Sequence, residues 1–527
     1  MVKREPTDNY IREAWQKCDD FFRQNNMYND TKKCVRFYEG IQWYDENQKD
    51  WQKLPMYNFI KPTCDYKIAM VAKNTMVINY SPLNVEGYDV MKEACDSLNA
   101  FAAEKWEVDK MDTLMWDVVK SAAVTGEGFV YYGDEDLKAQ IIDRTNLFLG
   151  DEQEEDIQSQ PFIIIRERRF VEDVRKDAKA AGLGEQYLAM IQPDDPKDQV
   201  NNEKNEVKAG DGKVTCFVYL RKNENGFVTF AKATETVVYQ SETEITGLTR
   251  YPVTAMVWSR KYNAARGYGE VIRLIPNQIA TNRLLLRREV NNKQTGYAHP
   301  VYHEDYIDNP ESLDTVGAKI KVSGGAMVQD VAKAFTYIQP APMSADGAAL
   351  QAEIIQTTRN LANASDEATG NVNPEQASGK AISLVIDQNA VMLTEQNAMF
   401  KQMVEDIALI WFDFWRVYNP NGMEMAWTTE EGRQAGHIPG DILANLEVRV
   451  RVDVSSNNPW SVYANDQEAM NLFGNGFISF EEYVQLLSDQ NHMKPKLEEF
   501  VKEKQAQQMM QQMQMMLGGG GNVMPGM

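Results

Sequence analysis

Between Gly267 and Tyr418 the chain reads as helix, compact insert, helix, polar loop and helix, and no catalytic motif interrupts the run. The first helical segment, EVIRLIPNQIATNRLLLRREVNNKQ, covers Glu270 to Gln294. An insert without helical period runs from Tyr297 to about Pro342, and a second helix is predicted from Ala345 to Ala364. The loop SDEATGNVNPEQASGK follows, and a third helix starts near Ala381, opened by Ser378 and Gly379. Its stripe is Ile386, Ala390, Leu393, Phe400, Val404, Ile407, Trp411, Trp415 and Tyr418, with Asn397 the polar interruption. Such a three- and four-residue spacing buries one helix face as core or subunit contact. A straight helix from Ala381 to Tyr418 would extend about 57 Å at 1.5 Å per residue, so it crosses a large domain or kinks between two. The block describes a machine part, not a reaction centre.

The flanking sequence mixes helical and strand periods. Residues 9 to 39 are helical by pattern, then YEGIQW (Tyr38 to Trp43) turns and LPMYNFIKP (Leu54 to Pro62) leads into a helix from about Thr63 to Asn74. VINYSPLN is extended and stops at Ser81-Pro82, because a residue before proline avoids the helical region. A helix over about 90 to 124 ends at the Gly126/Gly128 pair, where the period switches to a strand. Strands dominate 138 to 170, a short helix covers about 171 to 191, and Gln192 to Lys213 is polar enough to read as a mobile loop. CFVYLRK, Asn225-Gly226 and FVTFAKA spell a hairpin with a third strand at ETVVYQ. The first 266 residues are therefore expected to form one α+β body. Beyond Tyr418, EMAWTTEE and the alternating NLEVRVRVDVSS add strands, the second half-buried and returning to that body. From Asp466 the pattern is helical, ending in a Met/Gln/Gly tail that composition marks as disordered.

Composition narrows the function classes. A formal charge of −22 disfavours a tight grip on nucleic acid, since phosphate neutralisation supplies most non-specific affinity. It is compatible with enclosing DNA without holding it. Five cysteines without a CxxC pair do not make a disulfide framework and read as reduced thiols. No stretch of about 18 uncharged apolar residues is present, and MVKREPTDNY lacks the apolar core of a signal peptide. No membrane span, zinc site or cofactor is expected.

Two motifs invite chemistry and fail on residue type. NLFGNGFISFEEY (Asn471 to Tyr483) has the glycine and glutamate of a calcium loop at Gly476 and Glu482, but its first position is Asn471 and not Asp, and Phe473 at the third has no oxygen to donate. The better reading is a helix–turn–helix with Ser479 as N-cap and Glu482 completing a capping box. ASGKAIS (Ala377 to Ser383) has Pro374 and Ala381 where a phosphate-binding loop needs glycine and a hydroxyl. A cluster of Arg283, Arg287, Arg288 and Lys293 on the first helix is a solvated face or a set of carboxylate partners. Around an assembly axis it would become a basic ring near DNA.

The order and wording of these segments resemble the portal protein of tailed bacteriophages over roughly Tyr10 to Glu499. The resemblance rests on FYEGIQW and LPMYNFIKP, on AVTGEGFVYYG, and on YPVTAMVWSRKYNAARGYGEVIRLIPNQIATNRLLLRREV, where an RxYGxG-like stretch leads into a helix carrying Gln278 and Asn282. It implies an α+β wing, a helical stem, a small mixed α/β clip and a helical crown, assembled as a ring of twelve around a DNA channel. Residues 1–266 would be wing, 267–296 and 343–364 the stem helices, and 297–342 the clip. Residues 365–380 would be the tunnel loop, 381–458 the return to the wing, and 459–527 the crown. Asp366, Glu367, Asn371, Asn373, Glu375 and Lys380 would face DNA, and His303, Glu304, Asp305 and Tyr306 would serve clip docking. The implied partners are double-stranded DNA, the major capsid and scaffolding proteins, the terminase large subunit and head-completion or tail adaptor proteins. The implied place is a capsid vertex of the virion, after assembly in the host cytoplasm.

Two other readings stand beside this one. A DNA-packaging nuclease or ATPase would need clustered carboxylates for Mg²⁺ or a phosphate-binding loop, and the sequence supplies neither in usable form. A monomeric helical scaffold or adaptor would use the same helices to hold partner proteins.

Overall fold

The computed structural model describes residues 5–43, 54–73, 75–84, 87–133, 136–194, 212–296, 299–302, 304, 307–315, 317–321, 335–338, 346–362, 391–429 and 432–455, and within the last stretch 469–470, 472–474, 478–487, 493–494, 496–497 and 500–501. The chain is α+β, with 51% of the described residues helical and 23% in strands. It divides into two compact units, one made of residues 1–72, 78–365 and 392–453 and the other of 73–77, 366–391 and 454–527.

The first unit opens with α1 (Tyr10–Gln24) and α2 (Met27–Glu39), where one helix was expected. Asn26 separates them in the left-handed region at φ 54°, a conformation that asparagine reaches more readily than most residues. The helices α3 (Ile60–Ala72), α4 (Tyr88–Val108) and α5 (Met111–Thr125) follow, with strand β1 (Thr75–Pro82) before α4. The single helix expected over 90 to 124 is likewise broken, at Lys110 with φ 53°. β2 (Glu127–Tyr132), β3 (Ala139–Ile142), β4 (Leu147–Leu149) and β5 (Ile163–Phe170) come next. The helix expected over 171 to 191 is two, α6 (Val171–Ala180) and α7 (Glu185–Leu188).

β6 (Lys213–Lys222), β7 (Val228–Thr234) and β8 (Val238–Glu244) realise the expected hairpin and its third strand. Gly226 sits at φ 80° in the turn, and Asn223 Oδ1 accepts from the backbone of Asn225 and Phe227, both at 2.9 Å. These strands complete an antiparallel sheet in the order β4-β5-β6-β7-β8. Ile11, Trp15 and Phe22 of α1 bury against Phe148, Phe217 and Tyr219 of this sheet. Val171, Val174 and Ala178 of α6 pack with Val214 and Cys216, which strand alternation puts on the other face. Both faces of the sheet are therefore core.

A second sheet runs β3-β2-β9, with β9 at Val253–Val257. From it the chain enters α8 (Glu270–Gly296), which agrees with the expected helix within two residues at its end. β10 (His299–Tyr302) pairs antiparallel with β11 (Phe335–Ile338), and α9 (Asp346–Leu361) returns alongside α8. Asn277 Nδ2 donates to Thr358 Oγ1 at 2.9 Å and Arg288 Nη1 to Gln351 Oε1 at 2.9 Å, so the two helices run in opposite directions.

α10 (Thr394–Tyr418) forms the later part of the helix expected from Ala381, and residues 381–390 lie outside the described residues. Met392 and Leu393 form a turn ahead of it, and Leu393 has non-helical angles (φ −102°, ψ 17°). Its 25 residues extend about 37 Å at 1.5 Å per residue. Of the expected stripe, Leu393, Phe400, Val404, Ile407, Trp411 and Trp415 are buried, while Tyr418 is exposed and Ile386 and Ala390 lie outside the described residues. β12 (Gly422–Thr429) and β13 (Gly432–Pro439) form a hairpin, followed by α11 (Gly440–Asn445) and β14 (Val448–Ser455). β14 pairs with β1, so the chain does return to the body begun at the N-terminus. Its alternation holds: Leu446 and Val452 are buried, while Arg449 and Arg451 are exposed.

In the second unit α12 (Phe480–Leu486) starts at the anticipated capping box. Ser479 N–H donates to Glu482 Oε2 at 2.8 Å and Glu482 N–H to Ser479 Oγ at 3.3 Å. Phe473, the residue without an oxygen to give, stacks on Tyr483 with ring centres 5.1 Å apart. The ASGKAIS segment lies outside the described residues.

Candidate functional site: the root of the long helix pair

Three sequence segments far apart in the chain converge where α8 begins. The first is Ala123 to Gly133. Gly126 adopts φ 117°, and a side chain there would come within 2.9 Å of the Gly267 carbonyl oxygen. Gly269 is equally confined, since a Cβ would stand 2.7 Å from the Val124 carbonyl oxygen. Glycine is required at both points because two backbones pass in contact. Glu127, wholly buried, accepts the Gly267 N–H on one carboxylate oxygen and meets Arg144 Nε at 2.7 Å on the other. Arg144 also donates to the Thr125 carbonyl.

The adjoining Arg266 is 3% exposed and grips Glu152 with two donors, Nε at 2.8 Å and Nη2 at 3.0 Å. Nη2 also donates to the Leu147 carbonyl at 2.9 Å. Burial works against its charge, but the Glu152 carboxylate and hydrogen bonds more than compensate, and its pKa is raised. The first residue of α8, Glu270, pairs with Lys67 of α3 at 2.7 Å, both side chains being under one-tenth exposed. Glu270 also accepts from Trp258 Nε1 at 3.4 Å. Paired carboxylates and cations thus replace water at the root, as buried charges require.

The other two segments dock about two turns further along, at Gln278 and Asn282. Gln278 Nε2 donates to the Tyr57 carbonyl at 2.7 Å and its Oε1 accepts from Phe59 N–H at 3.2 Å. The same Nε2 donates to Asn282 Oδ1 at 2.9 Å, and Asn282 Nδ2 donates to Gln42 Oε1 at 2.7 Å. Gln42 Nε2 donates in turn to the Phe37 carbonyl at 3.1 Å. This relay of three side-chain amides fixes LPMYNFIKP and FYEGIQW against α8.

Beyond Asn282 the helix changes character, and no α8 residue with described burial is fully buried from Arg283 onward. Arg283 and Arg287 are exposed and one turn apart. Arg288 turns instead to α9 through Gln351, and Lys293 pairs with Glu289 of its own helix at 2.8 Å. The four cations therefore do not form one patch, because two have local partners. Val290 of α8 and Leu350 and Leu361 of α9 are exposed at 45%, 47% and 76%.

Of the clip residues singled out, Glu304 lies in an exposed turn, and His303, Asp305 and Tyr306 lie outside the described residues. So do Asp366, Glu367, Asn371, Asn373, Glu375 and Lys380. Of the segment expected as a mobile loop, Gln192 to Lys213, residues 195–211 lie outside the described residues and Lys213 opens β6. Asp194 is held at 2.7 Å by Arg168 and accepts the Thr215 N–H, because β5 and β6 present that cation and that donor side by side. The five cysteines are free thiols, four of them buried. Burial pushes Cys34 and Cys216 up to about 12 and Cys18 up to about 11.

The root residues Glu127, Arg144, Glu152, Arg266, Lys67 and Glu270 were not anticipated. The available signal was a run of charges inside glycine-rich wording, GEG and RGYGE, in a stretch otherwise apolar enough to be core. Among the described residues no cluster of three or more His, Cys, Asp or Glu is arranged to hold a metal ion. No described helix is long and apolar enough to cross a membrane. No protein-family model matches the chain, and no curated protein matches it.

Proposed function

We propose that this chain is the subunit of a portal, a ring at one capsid vertex through which double-stranded DNA enters during packaging and leaves during ejection. The observation that carries the reading is the convergence at the root of α8. Parts of FYEGIQW, LPMYNFIKP, AVTGEGFVYYG and the stretch from Tyr251 to Val290, the wording on which the resemblance rests, meet in one hydrogen-bonded anchor. An antiparallel helix pair with a small two-stranded sheet between its helices then leaves and re-enters that anchored body. A stem of this kind transmits load only if its base is rigid, which the buried ion pairs and the amide relay supply.

In this reading α8 and α9 are the stem, and the segment with β10 and β11 is the clip that docks the terminase large subunit and later head-completion or tail adaptor proteins. Residues 365–380 are the tunnel loop, and those from about Pro459 are the crown. Exposed Val290, Leu350 and Leu361 are covered by neighbouring subunits in a ring of about twelve, with capsid and scaffolding proteins outside it. The work done is mechanical and electrostatic. A largely acidic bore neutralises few phosphates at once, so the duplex slides. Negative-stain imaging of the purified chain tests this: rings with a central hole are expected, and single compact particles would favour the monomeric adaptor.

A further inference from the structure

A cavity of about 260 Å³ lies between the α1–α2 junction and the 261–269 loop. Phe21, Asp30 and Tyr268 line it and are exposed, which marks its mouth. Arg144 and Arg266 line it at 7% and 3% exposure, and Lys261 lines it half-buried. Three cations from separate parts of the sequence therefore share one small space.

The buried carboxylates beside them are already taken. Glu127 accepts the Gly267 N–H on one oxygen and meets Arg144 Nε on the other. Glu152 gives one oxygen to Arg266 Nε and the other to Arg266 Nη2. Three donor groups are left over. Arg144 Nη1 goes to the Thr125 carbonyl, and Nη2 has no protein partner. Arg266 Nη1 is buried and unpaired. Lys261 makes no ion pair among the described residues, and its Nζ rests over the Tyr268 ring, 4.4 Å from the centre. Burial, then the Arg144 guanidinium, pushes the Lys261 ammonium below its ordinary pKa, as cations lacking a counter-ion do. Unpaired donors are rare in buried sites, because each gives up hydration without return. Asp30, the other carboxylate lining the cavity, makes no ion pair among the described residues.

We propose that this cavity binds a free phosphate ion: Arg144 Nη2, Arg266 Nη1 and Lys261 Nζ hold its bare oxygens, and Asp30 accepts its O–H at the mouth. Guanidinium forks match the geometry of a tetrahedral oxyanion. At about 30 Å³ per water, the space admits such an ion with waters around it. Asp30 supplies the selectivity. Phosphate near neutral pH keeps a proton to donate, whereas sulfate and the phosphodiesters of DNA have none and would meet a carboxylate as one acceptor facing another. The ion would join α2, the Arg144 turn and the loop that leads into α8. The site is complete within one chain and does not depend on ring assembly.

Isothermal titration calorimetry of the full chain with inorganic phosphate, at pH 7 and constant ionic strength, tests the site. Saturable binding of one ion per chain is expected. Lys261→Met keeps a stem over Tyr268 and leaves every ion pair of the root intact. It is expected to weaken phosphate binding about tenfold or more, the worth of one charge-assisted hydrogen bond. Sulfate and a short DNA duplex, titrated as competitors, are expected to displace phosphate only weakly. Asp30→Asn, whose amide can donate to a bare oxygen, is expected to narrow the gap between phosphate and sulfate. The absence of saturable phosphate binding would overturn the proposal, as would an unchanged affinity in Lys261→Met. Sulfate or duplex competing as well as phosphate itself, or an unchanged gap in Asp30→Asn, would overturn it too.

Discussion

Asn282 stands one turn beyond Gln278 on α8, and its Oδ1 takes the Gln278 Nε2–H at 2.9 Å while its own amide reaches Gln42. Each amide thereby fixes the orientation of the next, and the relay ends on backbone groups of Tyr57 and Phe59. Replacing Gln278 with Leu leaves the Tyr57 carbonyl and the Phe59 N–H unpaired in a buried site. Unmade buried hydrogen bonds of this kind cost about 2–4 kcal/mol together. Urea unfolding of Gln278→Leu should show that loss, and an unchanged midpoint would remove the relay from the anchor.

The Lys67–Glu270 pair ties α3 to the first residue of α8. Breaking a buried pair from one side costs about 3–5 kcal/mol, whereas replacing both partners with apolar groups is often neutral. Lys67→Met alone should therefore lower the thermal midpoint clearly, and Lys67→Met with Glu270→Leu should recover most of it. Equal losses in the single and double variants would contradict this.

Asp406 sets a pH dependence of known sign. Its folded pKa of about 6 lies above the ordinary 3.8, so the folded chain binds more protons than the unfolded chain in between. Stability then falls as pH rises from about 4 to 6, and the cost persists above 6. Asp406→Asn should be more stable than the native chain at pH 7.5, by about 1–3 kcal/mol. The difference should shrink as pH is lowered to about 4. A variant less stable than the native chain at pH 7.5 would reverse the account.

The elements legible in the sequence were those whose signal is local. The β6–β7 hairpin followed from Asn225-Gly226 between alternating strands, α8 from its spacing, and α12 from the Ser479–Glu482 box. The break at Lys110 was not legible, because lysine carries no propensity for a left-handed backbone and the apolar spacing continues across it. The buried charges at the α8 root were missed for a different reason. Glu127 and Arg144, or Arg266 and Glu152, are partners only after the chain folds, and each alone reads as a surface residue. Gln278 and Asn282 drew attention through their wording, but their partners at Tyr57, Phe59 and Gln42 lie more than 200 positions away.

On the proposed function, Asp366, Glu367 and Glu375 keep the tunnel loop from binding phosphates. The triple Lys variant should slow DNA translocation and make its rate steeply salt-dependent, because each new cation adds a phosphate contact that salt weakens. A packaging velocity equal to that of the native chain would contradict the acidic-bore mechanism.

Native mass spectrometry of the purified chain tests ring assembly most directly. A portal predicts a closed species near twelve times the 60.1 kDa chain that persists on dilution. A single 60.1 kDa species at every concentration would contradict it.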